Sequence, residues 1–172
     1  MNNVEEFETV GISNIVYPNK MFRVLQLDYD TKDYSYVFSK ITEIRDEYKL
    51  NYTVITKTGK GFHVHFVDIM TLEEWKEALI MSKCDDKFIT AGLKHKYTVL
   101  RITHKRHIKT KEITSKEPIF YCKIDDRKQK RPISLAHHRF LTSYYDIEDN
   151  KQRIHLPGSE KLKFVYYRTA QE

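Results

Sequence analysis

Thr56-Lys57-Thr58-Gly59-Lys60-Gly61-Phe62-His63-Val64-His65-Phe66 decides how the rest of the chain is read. A glycine-rich turn runs straight into alternating histidines and apolar residues. A strand leaving that turn carries His63 and His65 on one face and Phe62, Val64 and Phe66 on the other. Gly59 and Gly61 can take positive φ and leave backbone N–H groups uncovered, so the turn can approach a phosphate closely. The β-rich run before it, Tyr52-Thr53-Val54-Ile55, makes the whole segment a β-hairpin.

Outward from the hairpin, residues 23–30 alternate, with Leu25, Leu27 and Tyr29 facing one way and Val24, Gln26, Asp28 and Asp30 the other. Apolar residues from Tyr34 to Tyr48 keep helical spacing. After the hairpin, Thr71 with Glu74 is a capping-box signature, and Leu72, Trp75 and Leu79 trace a helix face as far as about Lys83. A polar segment carrying Gly92 leads to a further alternating strand at 97–103. Residues 1–20 read as an irregular lead-in with at most an edge strand. The order β-α-β-β-α-β is that of the split βαβ, or RRM-like, α+β fold, whose first and third strands lie side by side. In that frame Asp28 and Asp30 neighbour His63 and His65 on the open face, and Arg101 stands on the fourth strand next to Asp28. One domain, 1–172, is expected: an RRM-like core over about 21–103 and a basic C-terminal extension, 104–172, that fills or flanks the open face.

Composition bounds the rest. At 172 residues, 40% hydrophobic and 13% aromatic, the chain suits one folded domain burying about two-thirds of its unfolded surface. No run approaches the ~18 apolar residues of a membrane span, and the N-terminus carries no signal-peptide core; the expectation is a soluble, intracellular (cytoplasmic) protein with no membrane partner. Cys84 and Cys122 form no CxxC pair, and His95, His104 and His107 fit no zinc spacing. The formal charge of +6 favours an anionic partner. Residues 105–131 hold ten Lys or Arg against four Asp or Glu. This marks Lys105, Arg106, Lys109, Lys128, Lys130 and Arg131 as a nucleic-acid surface, with a solvated basic loop as the plainer alternative.

Asp28-Tyr29-Asp30 ends an apolar strand with two hard oxygen ligands on one face, which suits a divalent cation whose shell is completed by phosphate and water. An ordinary solvated strand end is the bland reading. Two histidines and a glycine turn brought to the same place favour a site.

Leu27-Asp28-Tyr29-Asp30 followed, after one helix and one strand, by Thr58-Gly59-Lys60-Gly61-Phe62-His63 resembles the archaeo-eukaryotic primase superfamily, the primase-polymerase catalytic core. Its members carry DxD or DxE on one strand, Ser-Gly-x-Gly-x-His on a later hairpin, then a hydrophobic residue and Asp. Thr58 stands here in place of Ser, and the resemblance covers about residues 21–103. It implies a metal-dependent nucleotidyl transferase of DNA replication. Asp28 and Asp30 would hold Mg²⁺ or Mn²⁺, and Thr58, Gly59, Lys60, Gly61, His63 and Arg101 would bind a nucleoside triphosphate. Asp28, Asp30 and His63 would form the catalytic set. A nucleic-acid template is the implied partner, with a helicase or second primase subunit beside it; small members often belong to viruses or plasmids. For the third motif Ile124-Asp125 is the best match and Asp85 or Asp86 the next. The module such enzymes carry before the acidic strand has no counterpart.

Two rivals remain. His63-Val64-His65 also resembles the metal-binding strand of HUH replication-initiator endonucleases, for which Tyr144 or Tyr145 would have to serve as nucleophile. A non-catalytic RRM-like nucleic-acid-binding protein is the other, although the expected open face is acidic and imidazole-bearing rather than aromatic.

Overall fold

A computed structural model describes residues 5–18, 20–126, 128, 130–156 and 161–171. The fold is mixed α+β, with antiparallel sheets and four helices among the described residues.

In chain order the first half comprises β1 (Glu5–Ser13), β2 (Phe22–Arg23), β3 (Gln26–Tyr29), α1 (Tyr34–Tyr48), β4 (Thr53–Lys57), β5 (Phe62–Phe66), β6 (Met70–Thr71) and α2 (Leu72–Met81). The second half comprises α3 (Asp86–His95), β7 (Val99–Arg101), β8 (Lys105–His107), β9 (Ile113–Ser115), β10 (Ile119–Ile124), α4 (Leu135–Tyr144) and β11 (Phe164–Gln171).

One sheet runs β10-β4-β5-β3, so the acidic strand and the histidine strand are direct neighbours as expected. Leu25, Leu27, Tyr29, Ile55, Phe62, Val64 and Phe66 form its core face, against Val37, Ile41 and Ile44 of α1 and Trp75, Ala78 and Leu79 of α2. Each helix starts where the sequence supplies a cap. Asp33 accepts the Tyr36 N–H at the head of α1, and Thr71 and Glu74 close a reciprocal capping box on α2. No helix among the described residues is long and apolar enough to cross a membrane.

The opposite face is not open. A second core joins Tyr52, Val54 and Val67 to Ile12 of β1, Ile102, Ile133 and Leu141 of α4. The roof is a second sheet, β11-β1-β8-β9, to which β7 adds through β1. Three expectations change accordingly. Residues 5–13 are a central strand, paired with β11, β7 and β8, and not an irregular lead-in or an edge. The strand at 99–101 bonds to β1, with Ile12 opposite Leu100, and leaves β3 without that backbone pairing. The polar segment before it is α3, N-capped by Asp85, whose side chain accepts the Phe88 N–H.

Candidate functional site

The register of the first sheet lines up Asp28, His63 and Thr56 on one row, and Gln26, His65 and Val54 on the next. Side chains on one strand face repeat every second residue, so these rows share a face. They are not equally accessible. Asp28 keeps 29% of its side chain exposed, whereas His63 is 8% exposed and the His65 residue only 2%. His63 Nε2 lies 3.5 Å from Asp28 Oδ1.

The turn at 58–61 is built by its own chemistry. The Thr58 N–H donates to the Gly61 carbonyl, and the Thr58 hydroxyl accepts the Gly61 N–H at 3.0 Å. Thr58 therefore closes the turn with the group that was expected to meet a nucleotide. Neither glycine takes the left-handed conformation anticipated for it. Gly61 is required by contact instead: a Cβ there would sit 2.0 Å from the Tyr29 carbonyl oxygen and 2.7 Å from that of Thr31. The turn thus lies flat against the end of the acidic strand. Gly59 has open space around it, and Lys60 is exposed beside it.

Asp28 and His63 open into a cleft of about 180 Å³ whose other walls come from the second sheet: Thr9 of β1, Arg101 of β7, Lys105 of β8 and Tyr167 of β11. Charge is divided across it. On one wall burial, then Asp30, then Asp85 push the Asp28 carboxyl up to about 7, while Arg101 and Lys60 pull it down. On the other, burial and then Arg101 and Lys60 hold the Lys105 ammonium below its ordinary range. Arg101 is fixed by donating Nη1–H to the carbonyls of Thr103 and Lys116. Burial, with Arg101 adding to it, pushes His63 down to about 3, so its imidazole is neutral and the contact with Asp28 is not an ion pair. Acids crowd acids and cations crowd cations. Such a cleft is completed by a ligand that brings a cation to one wall and anionic oxygens to the other.

Asp30 lies just past β3 and is exposed. Asp85 comes to the same strand end, its N–H donating to the Asp28 carbonyl at 2.8 Å; Asp86 is the first residue of α3. Asp125 goes elsewhere. It is 7% exposed and held by Lys151 and by both terminal nitrogens of Arg153. The register puts it near the Thr53 end of the sheet, about three strand spacings, ~14 Å, and at least ~10 Å along the strands from Asp28. It cannot share a ligand with Asp28 there; of the candidate third acids, Asp85 is the one beside the Asp28 end of the strand. Among the described residues no three of His, Cys, Asp and Glu converge as a ready metal centre. Asp28 and Asp30 nonetheless fit Mg²⁺, which takes one or two carboxylates and draws its remaining ligands from substrate phosphates and water.

The basic segment is not one track. Lys105 lines the cleft, whereas Arg106 is exposed on the alternate side of β8, opposite Glu8. Lys109 lies in the turn after β8, its N–H bonded to His107. Lys128 and Lys130 are exposed. Arg131 is committed to a two-pronged pair with Glu74 and to the Ile69 carbonyl. Tyr144 donates to Ile102 and Glu117, and the Tyr145 hydroxyl is buried. Thr9 and Tyr167 had no sequence signal: their strands pair only across the length of the chain. Set beside known proteins, the chain matches no family model, no curated protein and no solved structure.

Proposed function

We propose that this protein is a primase-polymerase-like nucleotidyl transferase that uses Mg²⁺ or Mn²⁺ to make or extend a nucleic-acid strand from nucleoside triphosphates. The observation that carries the reading is the charge-divided cleft, with Asp28 and His63 paired across adjacent strands on one side and Arg101 and Lys105 on the other. The order β3-α1-β4-β5-β6-α2-α3-β7, with β3 beside β5, supports an RRM-like core, from which the short strand β6, the added helix α3 and the bonding of β7 to β1 are the departures.

In this reading Asp28 and Asp30 hold the cation, with Asp85 adding negative charge behind them. Bound there, the metal would neutralise charge developing on the transferred phosphoryl group and on the departing pyrophosphate. Arg101 and Lys105 bind the triphosphate, Arg101 already oriented by its two carbonyl contacts, and Lys60 extends over the same charge from the turn. His63, neutral because it is buried, donates a hydrogen bond to a phosphate oxygen. Tyr167 and Thr9 narrow the cleft and limit water. A template strand, and a helicase or second primase subunit, are the partners this activity calls for.

The HUH alternative needs both histidines at an open surface. His65 is closed in between Gln26 and Val54, and burial first, then His63 and His137, depress its basicity. The test of the proposal is strand extension with Mn²⁺, template and labelled nucleotides. Asp28→Asn should abolish it, and His63→Ala should chiefly raise the KM for nucleotide. A covalent tyrosine–DNA adduct with no nucleotide consumed would replace this reading with the HUH one.

A further inference from the structure

Beside the charged cleft lies a second cavity, of about 260 Å³, between α3 and the strands β7 and β11. Its lining includes the rings of Phe88, His95, Tyr97 and Tyr167, and no Lys, Arg, Asp or Glu contributes to it. Two residues, Val99 and Tyr167, line both the cavity and the cleft, so the two spaces adjoin along one wall. Polar, charged space thus stands directly beside ring-bearing space that no Lys, Arg, Asp or Glu lines, with Val99 and Tyr167 as the common wall. Tyr97 stands 39% exposed at the rim, with the His95 ring 6.2 Å from its own.

We infer that this cavity is the nucleoside subsite, in which the base of a nucleoside triphosphate lies among Phe88, His95, Tyr97 and Tyr167 while its phosphates reach Arg101 and Lys105 in the cleft. The inference rests on the reading that the cleft takes a triphosphate, and it adds where the rest of the molecule goes. A flat, uncharged heterocycle suits ring walls, because stacking on aromatic faces needs no charge and tolerates any base. An alkyl chain would gain little from imidazole and phenol edges, and a second anion would find no cation there. A base held in this way is contacted by the protein before any template strand is present. The floor is firm: Gly92 brings α3 so close that a Cβ would lie 2.9 Å from Thr98 Cγ2 and 3.0 Å from Leu79 Cδ2.

The experiment is equilibrium binding to the full chain in Mg²⁺ without template, comparing ATP, GTP, CTP and UTP with inorganic tripolyphosphate, which lacks the nucleoside. At least one nucleotide should bind roughly tenfold or more tighter than tripolyphosphate. Ala91→Trp, at an exposed position on the cavity lining, should fill the space and remove that advantage while leaving tripolyphosphate binding unchanged. Tyr97→Ala, also at an exposed position, should weaken nucleotide binding in the same selective way. Equal affinity of the parent for nucleotides and tripolyphosphate would overturn the inference and leave the triphosphate cleft standing. So would an equal loss for both ligands in Ala91→Trp. Binding of neither ligand by the parent would remove the cleft reading and the subsite with it.

Discussion

Asp28 and Gly61 show how single residues constrain this site. Asp28 is charged at a cost to folding, because its folded pKa of about 7 lies above the ordinary 3.8. A raised carboxyl pKa means that the folded state holds its proton longer, so stability falls as pH rises from about 4 to 7. Asp28→Asn should therefore stabilise the fold at pH 8, on the order of 1–2 kcal/mol once partial solvent screening is allowed for. The gain should vanish below pH 4, as thermal melts at the two pH values would register. Loss of strand extension in the same Asp28→Asn protein would mean that the carboxylate is kept for function and not for the fold. The two turn glycines should separate cleanly. Gly61→Ala drives a Cβ into the backbone of residues 29 and 31 and should cost about 2 kcal/mol or more, as overpacked sites do. Gly59→Ala meets nothing and should leave stability within about 0.5 kcal/mol, as surface changes do. The sequence makes the special status of Gly61 legible, but not its reason: spacing suggests unusual φ, whereas the strand it touches is joined only by tertiary contact.

At the scale of elements, the hairpin, α1 and α2 could be read because period-two and period-3.6 patterns and caps agreed with one another. The helix α3 could not. Gly92 sits in its middle and looks like a breaker, yet it is the close packing against Thr98 and Leu79 that demands a glycine. Strand β1 was hidden for a different reason. Its buried residues are Phe7, Thr9, Gly11, Ile12 and Ser13, hardly an apolar alternation, and its longest partner is β11 at the far end of the chain. The loop after α4 gives Asp125 its partners. A hydrophobic residue followed by Asp matches the third motif, but Arg153 gathers Asp125 and Asp149 and lies over the Tyr52 ring, and Asp149 in turn bonds His138. Arg153→Ala removes the partner that two mostly buried carboxylates share, leaving Asp125 with Lys151 and Asp149 with His138, and should cost up to about 3 kcal/mol, the low end for broken buried pairs. Urea denaturation would measure it. The nucleotide affinity of the folded fraction should not change, whereas a metal-ligand role for Asp125 would make Asp125→Ala lose metal-dependent nucleotide binding.

For the whole molecule, the second sheet turns an expected open face into a cleft with two walls, one from residues 26–66 and the other from β1, β7, β8 and β11. That roof buries imidazoles as well as creating the site. Burial pushes His63 and His65 down to about 3 and His137 to about 4, and it lowers His138 further than Asp149 raises it. Depressed histidines bind fewer protons folded than unfolded, so they add stability as pH rises from about 4 to 6.5. Asp28 and Asp68, both raised, work in the opposite direction. His63, His65 and His137 set against Asp28 leave a net of about two protons, which predicts stability falling by up to about 3 kcal/mol per pH unit below pH 6.5. Urea midpoints at pH 5 and pH 7 would show it, and a flat profile would mean that these imidazoles are hydrated. Nucleotide transfer in the cleft, as proposed, is tested most directly by incorporation of labelled nucleotide into a strand by the purified chain with Mn²⁺, beside Asp28→Asn and Arg101→Ala. The parent should incorporate nucleotide, Asp28→Asn should incorporate none, and Arg101→Ala should show a raised nucleotide KM. Incorporation that persists undiminished in Asp28→Asn would contradict the proposal.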